Sequence, residues 1–427
     1  MLRSPQRFLL AFIWLSLPGI LIYNLPPVKD RLGWRVDELR AQVKYALAPP
    51  EQVVFVPQQG GGVHTPMPPL ELSPTPTAML AAQPSGPTHT PFPTLRPTLT
   101  PTQIPENVQL FGFRHEYQGW NNCGPATLAI ALSYWGWQGD QYDIAPITKP
   151  NPRDKNVMPY EMASYVEAET QFNVALRVGG QVELLIRFLA AGLPVIIEKG
   201  FEGSGFDGWM GHYVLVTGYD GASLSFTLQD SYYGPDQTMT YETLESYWRA
   251  FNFTYLVVYP TKREAEVLSL LGPQADETYN FQDAAQKASD EIFALTGRDQ
   301  YFAWFNRGSN LVYLQDYAGA AAVYDEAFAL YPSVPEQERP WRMLWYQTGP
   351  YWAYFYTGRY QDVINLVTTT LDAMSEPVLE ESYYWRALAW EAMGDVPFAI
   401  QDLRTSLKHH PGFEPSLEQL ERLGVEN

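Results

Sequence analysis

Residues Asn121–Gly136 read NNCGPATLAIALSYWG and contain the single cysteine of a 427-residue chain, Cys123. The apolar residues behind it are spaced for a helix. Gly124-Pro125 stand at its start, where proline fits because its missing N–H would have no intrahelical partner. A cysteine there has two readings. It is an inert, small apolar residue filling a core. Alternatively it is a nucleophile, because the unpaired N–H groups and positive dipole end of a helix N-terminus favour thiolate over thiol. The second reading needs a general base and a group that orients the base.

The surrounding segment, 107–260, has the composition of a folded domain. PYEMASYVEAET and QVELLIRFLAAG read as two further helices, the latter ended by Gly192. LPVIIEKGF, HYVLVTGYD, SLSFTLQDS and FTYLVVYP are rich in β-branched and aromatic residues and read as strands, with DGA as a hairpin turn between the second and third. Helices followed by an antiparallel sheet make an α+β domain. His212 opens the strand GHYVLVTGYD, and Asp230 ends the strand expected to pair with it, so imidazole and carboxylate can meet at the sheet edge. Gln118, five residues before Cys123, has an amide suited to an oxyanion. The domain's other histidine, His115 in FRHEYQGW, reads as a loop residue, and Asn121 and Asn122 read as turn residues shaping the helix entry.

Cys-Gly-Pro at a helix start, then Gly-His-Tyr-Val, then Gln-Asp-Ser-Tyr-Tyr-Gly resembles the bacteriocin-processing peptidases. These are papain-like cysteine peptidases that cut leaders after a double glycine. The resemblance covers about 150 residues. It implies Cys123 as nucleophile, His212 as base, Asp230 as the orienting acid and Gln118 as oxyanion donor, acting on a peptide or protein substrate. The best-known members are fused to an exporter with several spans, whereas this chain offers a single candidate span.

That span is Phe8–Leu25, 18 uncharged residues behind Arg3 and Arg7. About 20 residues cover the roughly 30 Å of bilayer hydrocarbon. No small-x-small cleavage site follows closely, so an uncleaved signal anchor is expected. Residues 49–105 hold 15 prolines and 9 threonines, a composition that stays extended, on the order of 150 Å at about 3.1 Å per residue. Lys29, Arg31, Arg35, Arg40 and Lys44 argue for a cytoplasmic C-terminus. A stalk of this kind argues for export, and we weigh it above the charge count. The net charge of −19 excludes a nucleic-acid partner, and one cysteine excludes an intramolecular disulfide. With one cysteine and scattered histidines no zinc-ligand spacing appears, nor does a phosphate-cradling glycine loop, so no cofactor is expected.

After Pro260 the strand pattern stops. YLQDYAGAAAVYDEAFALYP, YTGRYQDVINLVTTTLDAMSEP and AMGDVPFAIQDLRTSLKHHP align on Tyr317, Tyr360 and Val396, in steps of 43 and 36 residues. The longer step absorbs SVPEQERPW, and Phe281 precedes Tyr317 by another 36. This resembles tetratricopeptide repeats, paired helices that stack into a solenoid and dock a partner protein. The expected organisation is an anchor over 1–28, a juxtamembrane helix over 29–48, a disordered stalk over 49–106, the papain-like domain over 107–260 and repeats over 261–427. Two functions remain open: a tethered cysteine peptidase, or a non-catalytic surface adaptor. An adaptor has no need to retain Cys123, His212 and Asp230 together.

Overall fold

The computed structural model describes residues 39–58, 104–202 and 208–425. The candidate membrane span and residues 59–103 of the expected stalk lie outside it. Among the described residues no helix is long and apolar enough to cross a membrane.

Seven strands form one antiparallel sheet: β1 (Asn107–Gln109), β2 (Phe172–Arg177), β3 (Val195–Phe201), β4 (Met210–Asp220), β5 (Ser225–Asp230), β6 (Gly234–Thr240) and β7 (Tyr255–Pro260). Their order is β2-β7-β3-β4-β5-β6, with β1 added to β4. Five helices accompany them: α1 (Cys123–Tyr134), α2 (Gln141–Thr148), α3 (Pro159–Glu169), α4 (Val182–Ala190) and α5 (Tyr241–Arg249). Side chains alternate across a strand. Ile196 and Leu215 therefore face α1 and α3, packing with Leu128, Ile130, Met162 and Val166. Val195, Ile197, Val214 and Val216 face the other way, onto Leu185 and Phe188 of α4 and Trp248 of α5. Covered on both faces, the central strands carry apolar residues at nearly every position. The α+β class and all four expected strands are present. β1, β2, β6, α2 and α5 are additional to the sequence reading.

An all-helical region follows: α6 (Glu264–Leu271), α7 (Glu277–Ala294), α8 (Gly297–Tyr313), α9 (Tyr317–Leu330), α10 (Met343–Tyr346), α11 (Gly349–Tyr356), α12 (Tyr360–Ala373), α13 (Glu380–Ala392), α14 (Val396–His409) and α15 (Glu414–Arg422). Tyr317, Tyr360 and Val396, the three aligned positions, each begin a helix of 14 residues. Two residues earlier, Gln315, Gly358 and Gly394 all take positive φ, at 61°, 76° and 90°. The alignment thus marks one recurring helix–turn–helix geometry, with glycine at two of three left-handed turn positions. Phe281 does not fit it, since it lies inside α7 rather than at a helix start.

The boundary expected at 260/261 is corrected. Val267 and Leu271 of α6 belong to the apolar cluster on the α4 face of the sheet. Conversely, Trp209, Ala250 and Phe251 of the sheet domain are buried in the main cluster of the helical region, with Phe302, Tyr346 and Tyr354. Polar contacts cross the same junction. Asn252 and Asn310 exchange amide hydrogen bonds of 2.7 and 3.1 Å, and Arg249 Nε meets Glu291 Oε1 at 3.0 Å. The stalk boundary at 48/49 moves as well. Residues 39–47 are helical, and the segment that follows lies against the helical region. Lys44 Nζ donates to the Asp372 and Met374 carbonyls, Phe55 packs edge-on against Phe328, and Gln58 N donates to Asp362 Oδ1 at 2.7 Å.

Cutting the chain after Pro260 removes α6 from the sheet core and exposes Trp209 and Phe251. Each buried aromatic or aliphatic side chain stripped of its partners forfeits about 1.5–3 kcal/mol. The truncated protein is expected to lose its cooperative thermal transition in circular dichroism. A sharp melt near that of the full chain would restore the boundary at 260.

Candidate functional site

α1 is apolar on every side and is buried along Gly124–Leu132, as expected of a helix at the centre of a domain. Cys123 is its first residue and is partly buried. Two features hold α1 tightly against β4. Thr127 Oγ1 donates to the Tyr213 carbonyl at 3.1 Å, beside His212. At Gly124 a Cβ would stand 3.2 Å from Val157 Cβ and 3.5 Å from the Tyr213 ring, tighter than most side chains tolerate.

Leu215 pairs with Gln229 in the β4–β5 ladder. Asp230 therefore reaches diagonally along the sheet to His212, a span that long side chains bridge. His212 Nε2 and Asp230 Oδ1 lie 3.0 Å apart, both nearly inaccessible. Asp230 Oδ1 also accepts from the Tyr232 and Tyr233 backbone N–H groups at 2.8 and 3.1 Å. The second ring nitrogen of His212 is left for Cys123, which is within hydrogen-bonding reach.

The charges follow from this geometry. Burial pushes the Cys123 thiol up, but the hydrogen bond and charge of His212, the Tyr213 N–H and the charge of Lys149 outweigh it, and the thiol ends below its ordinary value. Burial pushes His212 down, and its hydrogen bonds to Asp230 and Cys123 reverse that and raise it. Burial also raises Asp230, yet His212 and the two N–H donors draw its carboxyl down to about 2. A depressed thiol beside a raised imidazole is the condition for a thiolate–imidazolium pair.

Gln118 is tied to the residue after Asp230. Its backbone N–H donates to the Ser231 carbonyl at 2.9 Å, and Ser231 Oγ donates to its Oε1 at 3.0 Å, leaving the amide N–H groups free to donate elsewhere. The loop between Gln118 and Cys123 is clamped by Gln141, whose carboxamide is fully used. Its Oε1 accepts from Gly119 N at 2.6 Å and Asn122 Nδ2 at 3.2 Å. Its Nε2 donates to Glu116 Oε2 at 2.7 Å and the Tyr117 carbonyl at 2.9 Å. Asn121 takes φ of 55°, and its carbonyl accepts from Lys149 Nζ at 3.0 Å. His115 packs edge-on against Tyr117, and burial lowers its pKa.

Ser231, Gln141, Lys149 and Lys199 are contributors that the sequence reading missed. Lys199 lies opposite His212 in the β3–β4 ladder, with Nζ 5.3 Å from the Phe201 and Tyr247 rings. Burial lowers it to about 8, against the charges of Asp230 and Cys123. The signal was present: Glu198-Lys199 is a charged pair inside an otherwise apolar strand, and such residues are rarely buried without a purpose. Gln141 carries no comparable signal, because a glutamine beginning a short helix is unremarkable until its partners are known.

Residues 103–256 match the Peptidase_C39 like family, so the sheet domain is a C39-like cysteine peptidase domain. Three solved structures are similar. A C39-like peptidase from Bacillus anthracis is 19% identical, covering 36% of this chain and 98% of that one, with a TM-score of 0.30. The peptidase domain of Streptococcus ComA, a bifunctional ABC transporter of a quorum-sensing pathway, is 16% identical over 35% and 100%, with a TM-score of 0.29. Xylellain, a cysteine protease from Xylella fastidiosa, is 15% identical over 37% and 87%, with a TM-score of 0.28. No curated protein matches the chain.

Two outcomes follow from the site. Iodoacetamide labelling of Cys123, followed by mass spectrometry across pH, should show a midpoint below the free-thiol value of about 8.5. In His212→Ala the effect of burial is no longer opposed by the imidazolium, so the midpoint should move above the wild-type one; an unmoved midpoint would separate His212 from the thiol. Gln141→Leu removes the partner of Asn122 in a buried hydrogen bond and of Gly119, Glu116 and Tyr117 in partly buried ones. It should lower stability by about 1–3 kcal/mol in urea unfolding.

Proposed function

We propose that the protein is a membrane-tethered cysteine peptidase in which Cys123 is the nucleophile, His212 the general base and acid, Asp230 the orienting carboxylate and Gln118 an oxyanion donor. The observation carrying this reading is the buried Asp230–His212 contact aimed at a thiol on a helix N-terminus. The thiolate attacks the scissile carbonyl carbon, and the carbonyl π pair moves to oxygen. Gln118 donates to that oxyanion. His212 gives its proton to the departing amine as the C–N bond breaks, leaving a thioester on Cys123. Water, deprotonated by His212, then attacks the thioester, and the acid leaves with Cys123 again as thiolate.

The resemblance to leader peptidases suggests cleavage after small residues, double glycine among them. The recurring helix–turn–helix geometry supports a reading of the C-terminal helices as tetratricopeptide repeats that dock a protein substrate or partner. The apolar run at Phe8–Leu25 and the proline- and threonine-rich stretch behind it support a single-pass anchor and stalk, with both folded parts outside the cytoplasm. Acidic surface suits basic partners rather than nucleic acid.

Peptide hydrolysis by the full chain should vanish in Cys123→Ala without a change in circular dichroism, since no second thiol exists. Gln118→Ala should reduce kcat by about 10²–10³-fold, the usual effect of losing one oxyanion donor. At position 230, asparagine keeps an acceptor for His212 and should retain part of the activity, whereas alanine should retain less. Retained turnover in Cys123→Ala would favour the adaptor reading.

A further inference from the structure

A cavity of about 20 Å³, room for one water-sized body, lies between the peptidase domain and the helical region. Asp154 and Glu161 line it from one side, and Trp345, Glu380, Glu381 and Ser382 from the other. One carboxylate oxygen each of Glu161 and Glu380 and one ring nitrogen of His410 lie within 4.8 Å of one another. His410 Nδ1 is already 2.9 Å from Glu380 Oε1. Two donors each about 2.1 Å from one ion stand at most about 4.2 Å apart, so small side-chain movements bring the three atoms onto an ion. Glu161 Oε2 accepts from Met158 N at 2.7 Å as the cap of α3, which leaves its other oxygen free.

Two further features point to an occupant. The Ser382 hydroxyl and the Trp345 indole N–H are buried in the cavity wall with no hydrogen-bond partner. Polar groups so placed are costly unless something in the cavity meets them. A cation in the cavity meets the Ser382 hydroxyl through its oxygen. The cavity wall also gathers four acidic side chains, Asp154, Glu161, Glu380 and Glu381.

We propose that Glu161 and Glu380 of this cavity, together with His410, bind a divalent cation that ties the peptidase domain to the helical region. Two carboxylates and an imidazole suit a first-row ion such as Zn²⁺ or Mn²⁺ better than the harder Ca²⁺ or Mg²⁺. Tyr160, whose hydroxyl donates to Glu381 Oε1 at 2.6 Å, braces the acidic wall. The ion acts on the loop that passes α1. Val157 lies in that loop, its carbonyl accepts from the Tyr213 hydroxyl at 2.8 Å, and its side chain packs against Gly124. Sequence spacing conceals the site because its ligands come from three separate helical segments.

The test is isothermal titration of the EDTA-treated, dialysed full chain with ZnCl₂, MnCl₂ or CaCl₂, with a melting curve at each end point. One equivalent of Zn²⁺ or Mn²⁺ should bind with a Kd below about 1 µM and raise the melting temperature, and Ca²⁺ should bind far more weakly. Glu161→Gln, Glu380→Gln and His410→Ala should each weaken binding by at least about 100-fold. Without metal, Glu161→Gln should melt no lower than wild type, because its amide oxygen still accepts from Met158 N and one of the facing acidic groups is gone. Absence of stoichiometric Zn²⁺ or Mn²⁺ binding, or variants that bind as tightly as wild type, would overturn the proposal. Neither readout requires peptidase activity, so failure here leaves the assignment of Cys123 untouched.

Discussion

Everything at the site depends on the 3.0 Å contact between His212 Nε2 and Asp230 Oδ1 in the nearly dry end of the sheet. An imidazole buried alone loses basicity, because its charged form has no water to stabilise it. A carboxylate buried alone is held neutral for the same reason. Side by side each restores the other, and Asp230 is further stabilised by two backbone donors at the chain reversal after β5. That reversal requires a break in the ladder. The β5–β6 register shifts between Leu228 and Asp230, and Gly234 returns the chain with φ of 120°. A β-bulge beside a functional side chain is a common way to aim it. The sheet irregularity and the charge of the thiol are thus two ends of one arrangement.

The second requirement is that Cys123 meet the imidazole at the correct depth, and this is a packing problem. The helix carrying it has no polar face to float on, so its position is set by contacts all round and by the Thr127 bond to Tyr213. Gly124 permits the close approach, and the Gln141 clamp brings the preceding loop in at a fixed angle. Asn122, at the helix cap position, makes no cap bond and gives its amide to Gln141 instead. Capping stabilisation is exchanged there for control of the loop that bears Gln118.

Much of this was legible in the residues. α1, α3, α4 and the four long strands are continuous apolar or periodic runs, and His212 and Asp230 lie at strand ends that the hairpin turn brings side by side. β6, GPDQTMT, was invisible because it is a mostly exposed edge strand with proline, glycine and polar residues, held by its ladder alone. β2, FNVALR, is only half-buried at most of its positions, and the eight-residue α2 contains Pro146. The boundary at Pro260 failed for a different reason. The change from strand to helix pattern there is real, but α6 packs back on the sheet, and a change of secondary structure does not mark the edge of a core. Likewise Tyr45 falls in the expected juxtamembrane helix and Phe55 in the expected stalk, yet each is buried against the helical region because that region offers aromatic partners some 300 residues away.

That long-range packing changes what the helical region is to the peptidase. At Gly211, the neighbour of His212, a Cβ would approach Phe251 to 2.7 Å and Tyr346 to 3.0 Å. Only glycine lets the ring from α10 come this near the strand that carries His212. Arg342 Nη1 donates to the Trp209 carbonyl at 2.9 Å, and Asn156 Nδ2 to the Trp345 carbonyl at 3.0 Å, so α10 is gripped from both sides of the site. A module joined by a flexible linker would have needed none of this. The insertion that lengthens one step of the repeat, SVPEQERPW, sends Arg339 to the Glu51 carbonyl at 2.8 Å and leads directly into α10. The irregular stretch of the helical region is therefore one of the parts that meet the peptidase domain. Tyr346 of α10 thus lies against Gly211, the residue next to His212 in the chain.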